Sequence, residues 1–318
     1  MSRLSERTGT VFAAGAFVIW GLLPLYWNVF AAVAAIEILA HRLLWTSITV
    51  SALLLILRKF ELPRMLRDPY LRPRLLLSGL LLGVNWFTYI FAVNSGRVLD
   101  ASMGYYINPL VSVLLGTLVL REKLNALQRL AVLIAAAGVL FTIAVEGIVP
   151  WVALVLAVTF GLYGLLKKHL PPAPLNALAA ETAVLVPVGL LIITVRAVSG
   201  TWAFALPDVP VVRTGILLAA AGIATAVPLY LFAEGAARIA LSRLGFLQYI
   251  APTLMLVVGV LVFGEAFTYV QAVTFGMIWT ALLLYSVSGM LHKRSILRRQ
   301  PTLPPDRAVY DTGRQAGS

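Results

Sequence analysis

The chain has 318 residues, of which 60% are hydrophobic and 12% charged, and its mean hydropathy is +0.92. Charge at about half the share usual in soluble domains excludes a water-soluble globule. The formal charge of +12 is scattered between apolar stretches and a tail rather than gathered on one basic face, which excludes nucleic acid as a partner, and with no cysteine there is no disulfide, thiolate nucleophile or cysteine metal ligand.

Apolar runs of about 17 to 22 residues predict ten membrane-spanning helices. The first, over 10–29, carries Trp20, Pro24, Tyr26 and Trp27; at about 20 residues it exceeds the core of a signal peptide and is expected to stay in the protein. The second, over 36–57, opens with Glu37, His41 and Arg42. The third spans 74–94 with Asn85 inside it, the fourth spans 100–120 with Tyr105, Tyr106, Asn108 and Pro109, and the fifth spans 127–145. The sixth to tenth follow over 150–166, 177–195, 213–233, 241–263 and 268–290, with Tyr163 in the sixth, Glu181 in the seventh, and Gln248, Tyr249 and Pro252 in the ninth.

The two halves repeat. Tyr106, Ile107, Pro109, Gly116 and Glu122 recur 143 residues later as Tyr249, Ile250, Pro252, Gly259 and Glu265, and the same offset relates Phe17, Trp20 and Gly21 to Phe160, Tyr163 and Gly164. Two blocks of five helices, over 10–146 and 147–290, are therefore expected, preceded by a short cytoplasmic segment over 1–9 and followed by a basic, disordered cytoplasmic tail over 291–318. An odd number of helices per block inverts the second copy relative to the first. The fold class expected is an all-α membrane protein of ten helices in two inverted repeats, with a shared site near the midplane.

Orientation follows from the basic residues. Of the 25 Lys and Arg, 21 fall in the N-terminal segment, alternate connections and the tail; Arg97, Arg196 and Arg213 lie on the opposite side and Arg42 just inside the second helix. The positive-inside rule then puts both termini in the cytoplasm.

Backbone and side chains nominate a site. Pro24, Pro109 and Pro252 withhold a donor from the carbonyls of Trp20, Tyr105 and Gln248, leaving either packing kinks or contacts for a solute or cation. Asn85 and Asn108 must face the bundle interior, as interhelical glue or as substrate contacts, and the symmetry mates Trp20 and Tyr163 sit too deep to be interfacial anchors. Glu37 and His41, four residues apart, share a face and either relay a proton or form structural pairs, and Glu181 is nearly the repeat counterpart of Glu37. Asp100 is expected to cap the fourth helix and Ser242 the ninth, Glu122 and Glu265 to pair structurally with a basic residue of a loop, and Glu234 to meet Arg238 four residues on.

Other chemistries leave no mark. There is no phosphate-binding G-x-x-x-x-G-K-[ST] loop, no H-E-x-x-H and no Asp-rich magnesium cluster, and His41, His169 and His292 are dispersed. No cofactor and no metal is expected, and any pumping must draw on a gradient, with a proton or sodium as the coupling ion. The reading is a secondary transporter with a small-molecule substrate; the alternatives are a channel or a non-transporting accessory membrane protein, and then an intramembrane enzyme. The expected cavity is bordered by Trp20, Asn85, Tyr105, Tyr106, Asn108, Tyr163, Gln248 and Tyr249.

The strings E37-I-L-A-H-R-L-L-W45, G83-V-N-W86, A101-S-M-G-Y-Y-I-N-P109, L162-Y-G-L-L-K-K168 and L244-G-F-L-Q-Y-I-A-P-T253 closely resemble the RarD-type permeases of the EamA family, in the drug/metabolite transporter superfamily. The resemblance covers residues 9 to 290. It implies a bacterial inner-membrane carrier of two EamA repeats, in a group associated with chloramphenicol sensitivity or with export of small metabolites. It does not imply a particular substrate, and the tail falls outside it.

Overall fold

In the computed structural model the described residues are 3–121, 124–167, 174–206, 210–236, 238–239, 244 and 247–299, and among them every regular element is helical. Long apolar runs take this form because a helix satisfies its own backbone donors and acceptors where no water can. The first half contains α1 (Arg3–Asn28), α2 (Ala35–Ile56), a short α3 (Leu62–Arg67), α4 (Leu71–Asn94), α5 (Val98–Leu120) and α6 (Ala126–Glu146). The second contains α7 (Trp151–Lys167), α8 (Pro174–Ala183), α9 (Val186–Val198), a 3-10 turn (Ala203–Ala205), α10 (Val211–Ala236), α11 (Ile250–Leu261) and α12 (Tyr269–Arg299). Eight stretches are long and apolar enough to cross a membrane, one of them running from Val186 to Ala205; α7 and α11 are apolar but shorter, at 17 and 12 residues.

Four boundaries differ from expectation, the first being that α1 is already helical from Arg3, within the segment expected to precede the first span. The seventh span is broken at Val184–Leu185, between α8 and α9, because Pro187 has no N–H to offer the Ala183 carbonyl. The ninth has a turn at Gln248–Tyr249, so Pro252 falls in the first turn of α11, where a missing donor costs little, rather than in mid-helix. The backbone of α12 stays helical to Arg299, nine residues into the segment expected to be disordered. Glu122, Ser242 and residues 300–318 lie outside the described residues.

The helices of the two halves interlock. α1 packs on α10 and α11, and α7 packs on α4 and α5. α2 lies against α8, α9 and α10, α5 against α11, and α6 against α12. Glycines set two of these approaches. A Cβ on Gly79 of α4 would lie 2.6 Å from the Glu181 carbonyl oxygen of α8, and one on Gly222 of α10 would clash with the Trp45 carbonyl of α2. Gly79 and Gly222 are themselves 143 residues apart. Small residues at such points let backbones meet closely, which is how helices associate without water to drive them together.

Two apolar clusters fill the interior, one built on α1, α2 and α4 around Trp27, Ile38 and Ile90, the other on α5, α6 and α12 around Met103, Phe275 and Ile278. Leu133 and Leu140 of α6 and Leu283 of α12 are instead about two-thirds exposed, at 66%, 64% and 66%. In a bilayer these side chains face lipid.

Candidate functional site

The expected lining residues divide between the two clusters. Trp20, Tyr105 and Tyr163 pack against the first, Tyr106 and Tyr249 belong to the second. Trp20 meets Phe17 edge-on at 5.4 Å, and its symmetry mate Tyr163 meets Phe160 at 5.9 Å. The Tyr106 and Tyr249 rings stack at 6.2 Å, and the Tyr106 hydroxyl shares a 2.6 Å hydrogen bond with the Thr253 hydroxyl. Asn85 donates through Nδ2 to the Leu156 carbonyl at 3.1 Å and to Thr159 Oγ1 at 3.0 Å, bridging α4 to α7. Asn108 keeps a buried Oδ1 with no partner, and Gln248 is half-buried at the turn that precedes α11.

The carboxylates are compensated rather than free. Glu37 is fully buried; its Oε2 pairs with Arg196 Nε at 2.8 Å and its Oε1 accepts from the Ala203 N–H at 2.7 Å. Both oxygens being taken, no hydrogen bond joins Glu37 to His41, whose two ring nitrogens are buried without partners among the described residues and whose ring meets Phe204 edge-on at 6.2 Å. Glu181, also fully buried, pairs with Lys167 at 2.7 Å, accepts from the Tyr163 hydroxyl at 3.0 Å and accepts from Ser78 Oγ. Glu234 meets Arg238 as expected.

Asp100 does not cap α5. It pairs with Arg97 at 2.8 Å, while the cap comes from the other half: Glu265, expected to pair with a loop base, instead accepts from the Val98 N–H at 2.6 Å and the Leu99 N–H at 2.8 Å. Those two donors are among the four that a helix start leaves unpaired. A cavity of about 300 Å³ opens at this end of α5, lined by Arg97, Asp100, Glu146 and Glu265 among others. None of the expected lining residues borders it.

One group stands out although its place near the start of α2 sets it among the helix-end charges. Arg42 of α2 is 4% exposed, donates from Nε to Thr225 Oγ1 of α10 at 3.2 Å, and leaves Nη1 buried with no partner. Its guanidinium lies 3.8 Å from the Trp86 ring centroid and 4.8 Å from that of Trp27. Among the described residues no carboxylate pairs with it. Position along the chain concealed this, since Arg42 follows Glu37 and His41 on the same helix; only the packed bundle shows that Glu37 turns to Arg196 instead.

Comparison with known proteins agrees with the helical architecture. Residues 7–144 match the EamA-like transporter family. The uncharacterized transporter YojE of Bacillus subtilis is 43% identical over 307 residues, 93% of this chain and 99% of that protein. Protein RarD of Escherichia coli is 37% identical over 302 residues, 92% of this chain and 99% of its own. A solved crystal structure, 21% identical, covers 87% of this chain and 96% of that one with a TM-score of 0.55, a likeness of fold alone.

Proposed function

Since the chain belongs to the EamA-like transporter family, among its RarD-type permeases, we propose that it is a secondary carrier that moves a small metabolite or drug-like solute across the bacterial inner membrane by alternating access. It is a multi-pass membrane protein whose relatives are named transporters, which argues against an enzyme.

The observation that carries the proposal is the exchange of helices between halves. The first helix of one block, α1, packs on α10 and α11 of the other; the first helix of the second block, α7, packs on α4 and α5. If α8 and α9 are one broken span, α10 and α11 are the third and fourth spans of their block, as α4 and α5 are of theirs. The pairings α5 with α11 and α6 with α12 then join equivalent helices, and Gly79 and Gly222 set matching approaches. This pattern supports two five-helix units related by a two-fold axis in the membrane plane. With five spans per unit, inversion and cytoplasmic termini follow from the distribution of Lys and Arg.

Inverted units give two equivalent ways to open a common interior, one toward each face. The residues assigned to it are Trp20, Asn85, Tyr105, Tyr106, Asn108, Tyr163, Gln248 and Tyr249, with Pro24 and Pro109 inside their helices and the turn before Pro252 as points where rigid segments meet. Rocking of one unit against the other exposes this interior alternately. Glu37, His41 and Glu181 are the groups assigned to proton or sodium coupling. The salt bridges at Glu37 and Glu181 tie α2 to α9 and α7 to α8, so protonating either carboxylate loosens a joint between rigid helices.

The test needs no known substrate. The chain has no cysteine, so Asn108→Cys is a single reporter in an otherwise natural protein. Alternating access predicts that a membrane-impermeant maleimide reaches it from either face of the membrane, and that cross-linking one mouth shut stops labelling from that face alone. Labelling from both faces at once regardless of the cross-link denotes a channel and contradicts the carrier, as does protection from both faces.

A further inference from the structure

We propose that Arg42 is the anion-recognising group of this carrier, and that the solute is a small organic anion bearing a carboxylate or phosphate. This rests on the carrier reading above and adds the chemical class of its cargo.

A buried cation inside a membrane bundle is expensive and ordinarily has a counter-charge. The other buried charges obey that rule, Glu37 through Arg196 and Glu181 through Lys167. Among the described residues Arg42 does not: its one hydrogen bond there is to a neutral hydroxyl, and Nη1 is buried and unpaired. The aromatic faces of Trp86 and Trp27 offset part of the cost through the attraction of a cation for a ring. They supply no acceptor for the free N–H. Beside it, among the described residues, Trp27 Nε1, which can only donate, and the Tyr89 hydroxyl, which can donate or accept, are buried without partners. An excess of unpaired donors around one positive charge is the complement of an anion, and a guanidinium presents its donors in the fork that carboxylate and phosphate fit.

The location agrees. Seven residues past the start of α2, Arg42 lies about 10 Å along that helix, well inside a hydrocarbon layer of about 30 Å. It touches α1 and α4 of the first half through Trp27 and Trp86, and α10 of the second half through Thr225, so a ligand held there bears on both rocking units.

Symmetry separates this site from architecture. At the 143-residue offset, Arg42, Trp86 and Tyr89 correspond to Leu185, Leu229 and Phe232. A guanidinium needed only to hold the fold would be expected at both equivalent places. One copy alone carries it, as a single binding site between two units requires.

The experiment is a thermal-shift and flux measurement on the full chain, using benzoate, indole-3-acetate and phenyl phosphate against the neutral benzamide, indole-3-acetamide and phenol. A ligand that binds the folded form raises its melting point. At least one acid is expected to stabilise the wild type saturably and well beyond its neutral counterpart; Arg42→Gln should weaken that acid by about tenfold or more, and Arg42→Lys by less. Should Arg42→Gln fail to fold, the wild type alone decides: affinity for a carboxylate must fall as pH drops through that acid's own pKa, while affinity for its amide stays level. Acid and neutral compound binding alike, or a shift given only by phosphatidylglycerol, overturns the proposal. In liposomes, acid binding through Arg42 without protein-dependent flux contradicts the carrier and leaves the anion site; protein-dependent flux equal for acid and amide contradicts the anion site and leaves the carrier.

Discussion

Tyr106 and Tyr249 hold the same place in the two halves of the sequence, and their rings stack against each other with centroids 6.2 Å apart and planes 18° from parallel. Such a pair contributes about 0.5–1.5 kcal/mol beyond the area it buries. A double-mutant cycle of Tyr106→Leu and Tyr249→Leu should return a coupling in that range in the unfolding of detergent-solubilised protein, and strictly additive losses would place the rings outside one another's influence.

Gly79 and Gly222 make a matched pair of a different kind. A methyl group on either meets a backbone carbonyl that cannot rotate away, so Gly79→Ala and Gly222→Ala should each destabilise by about 1–3 kcal/mol. Gly164 and Gly276 have open space around the same position, and their alanine variants should be neutral or gain up to about 1 kcal/mol from helix propensity. Yields and melting points of the four variants, made side by side, check the contrast.

The Glu37–Arg196 pair is buried on the carboxylate side. Arg196→Ala leaves Glu37 with the single Ala203 N–H, at a cost of about 3 kcal/mol. The double variant Glu37→Gln/Arg196→Ala should recover most of that loss, because no charge is then stranded. A double variant no more stable than Arg196→Ala would mean that the arginine acts through packing of its stem.

Much of this was legible in the chain. Each predicted span overlaps a helix among the described residues, eight stretches being long and apolar enough to cross a membrane, because long apolar runs in lipid have few other options, and the offset that relates Gly79 to Gly222 could be read directly. What escaped was long-range. Glu265 caps α5 from 166 residues away, so local sequence pointed to Asp100 instead. Pro187 broke the seventh span where hydropathy ran on undisturbed. The isolation of Arg42 depends on Glu37 finding Arg196, a contact 159 residues apart that no local pattern reports.

Removing the cap from α5 tests that long-range contact. Glu265→Ala strands the Val98 and Leu99 donors and should cost about 1–2 kcal/mol, with Glu265→Gln intermediate because its amide offers one acceptor oxygen for two donors. Hydrogen exchange at Val98 and Leu99 should accelerate in the alanine variant. Unchanged exchange would show that the carboxylate does not hold these amides.

The inverted pairing of the two blocks is tested most directly by topology. Glu6 and Val149 are equivalent positions, 143 residues apart, Glu6 opening the first span and Val149 lying just before α7. In the cysteine-free chain, Glu6→Cys and Val149→Cys should react with an impermeant maleimide from opposite faces of the membrane, Glu6→Cys from the cytoplasmic face. Reaction of both from one face would contradict inversion, and with it the two-fold carrier.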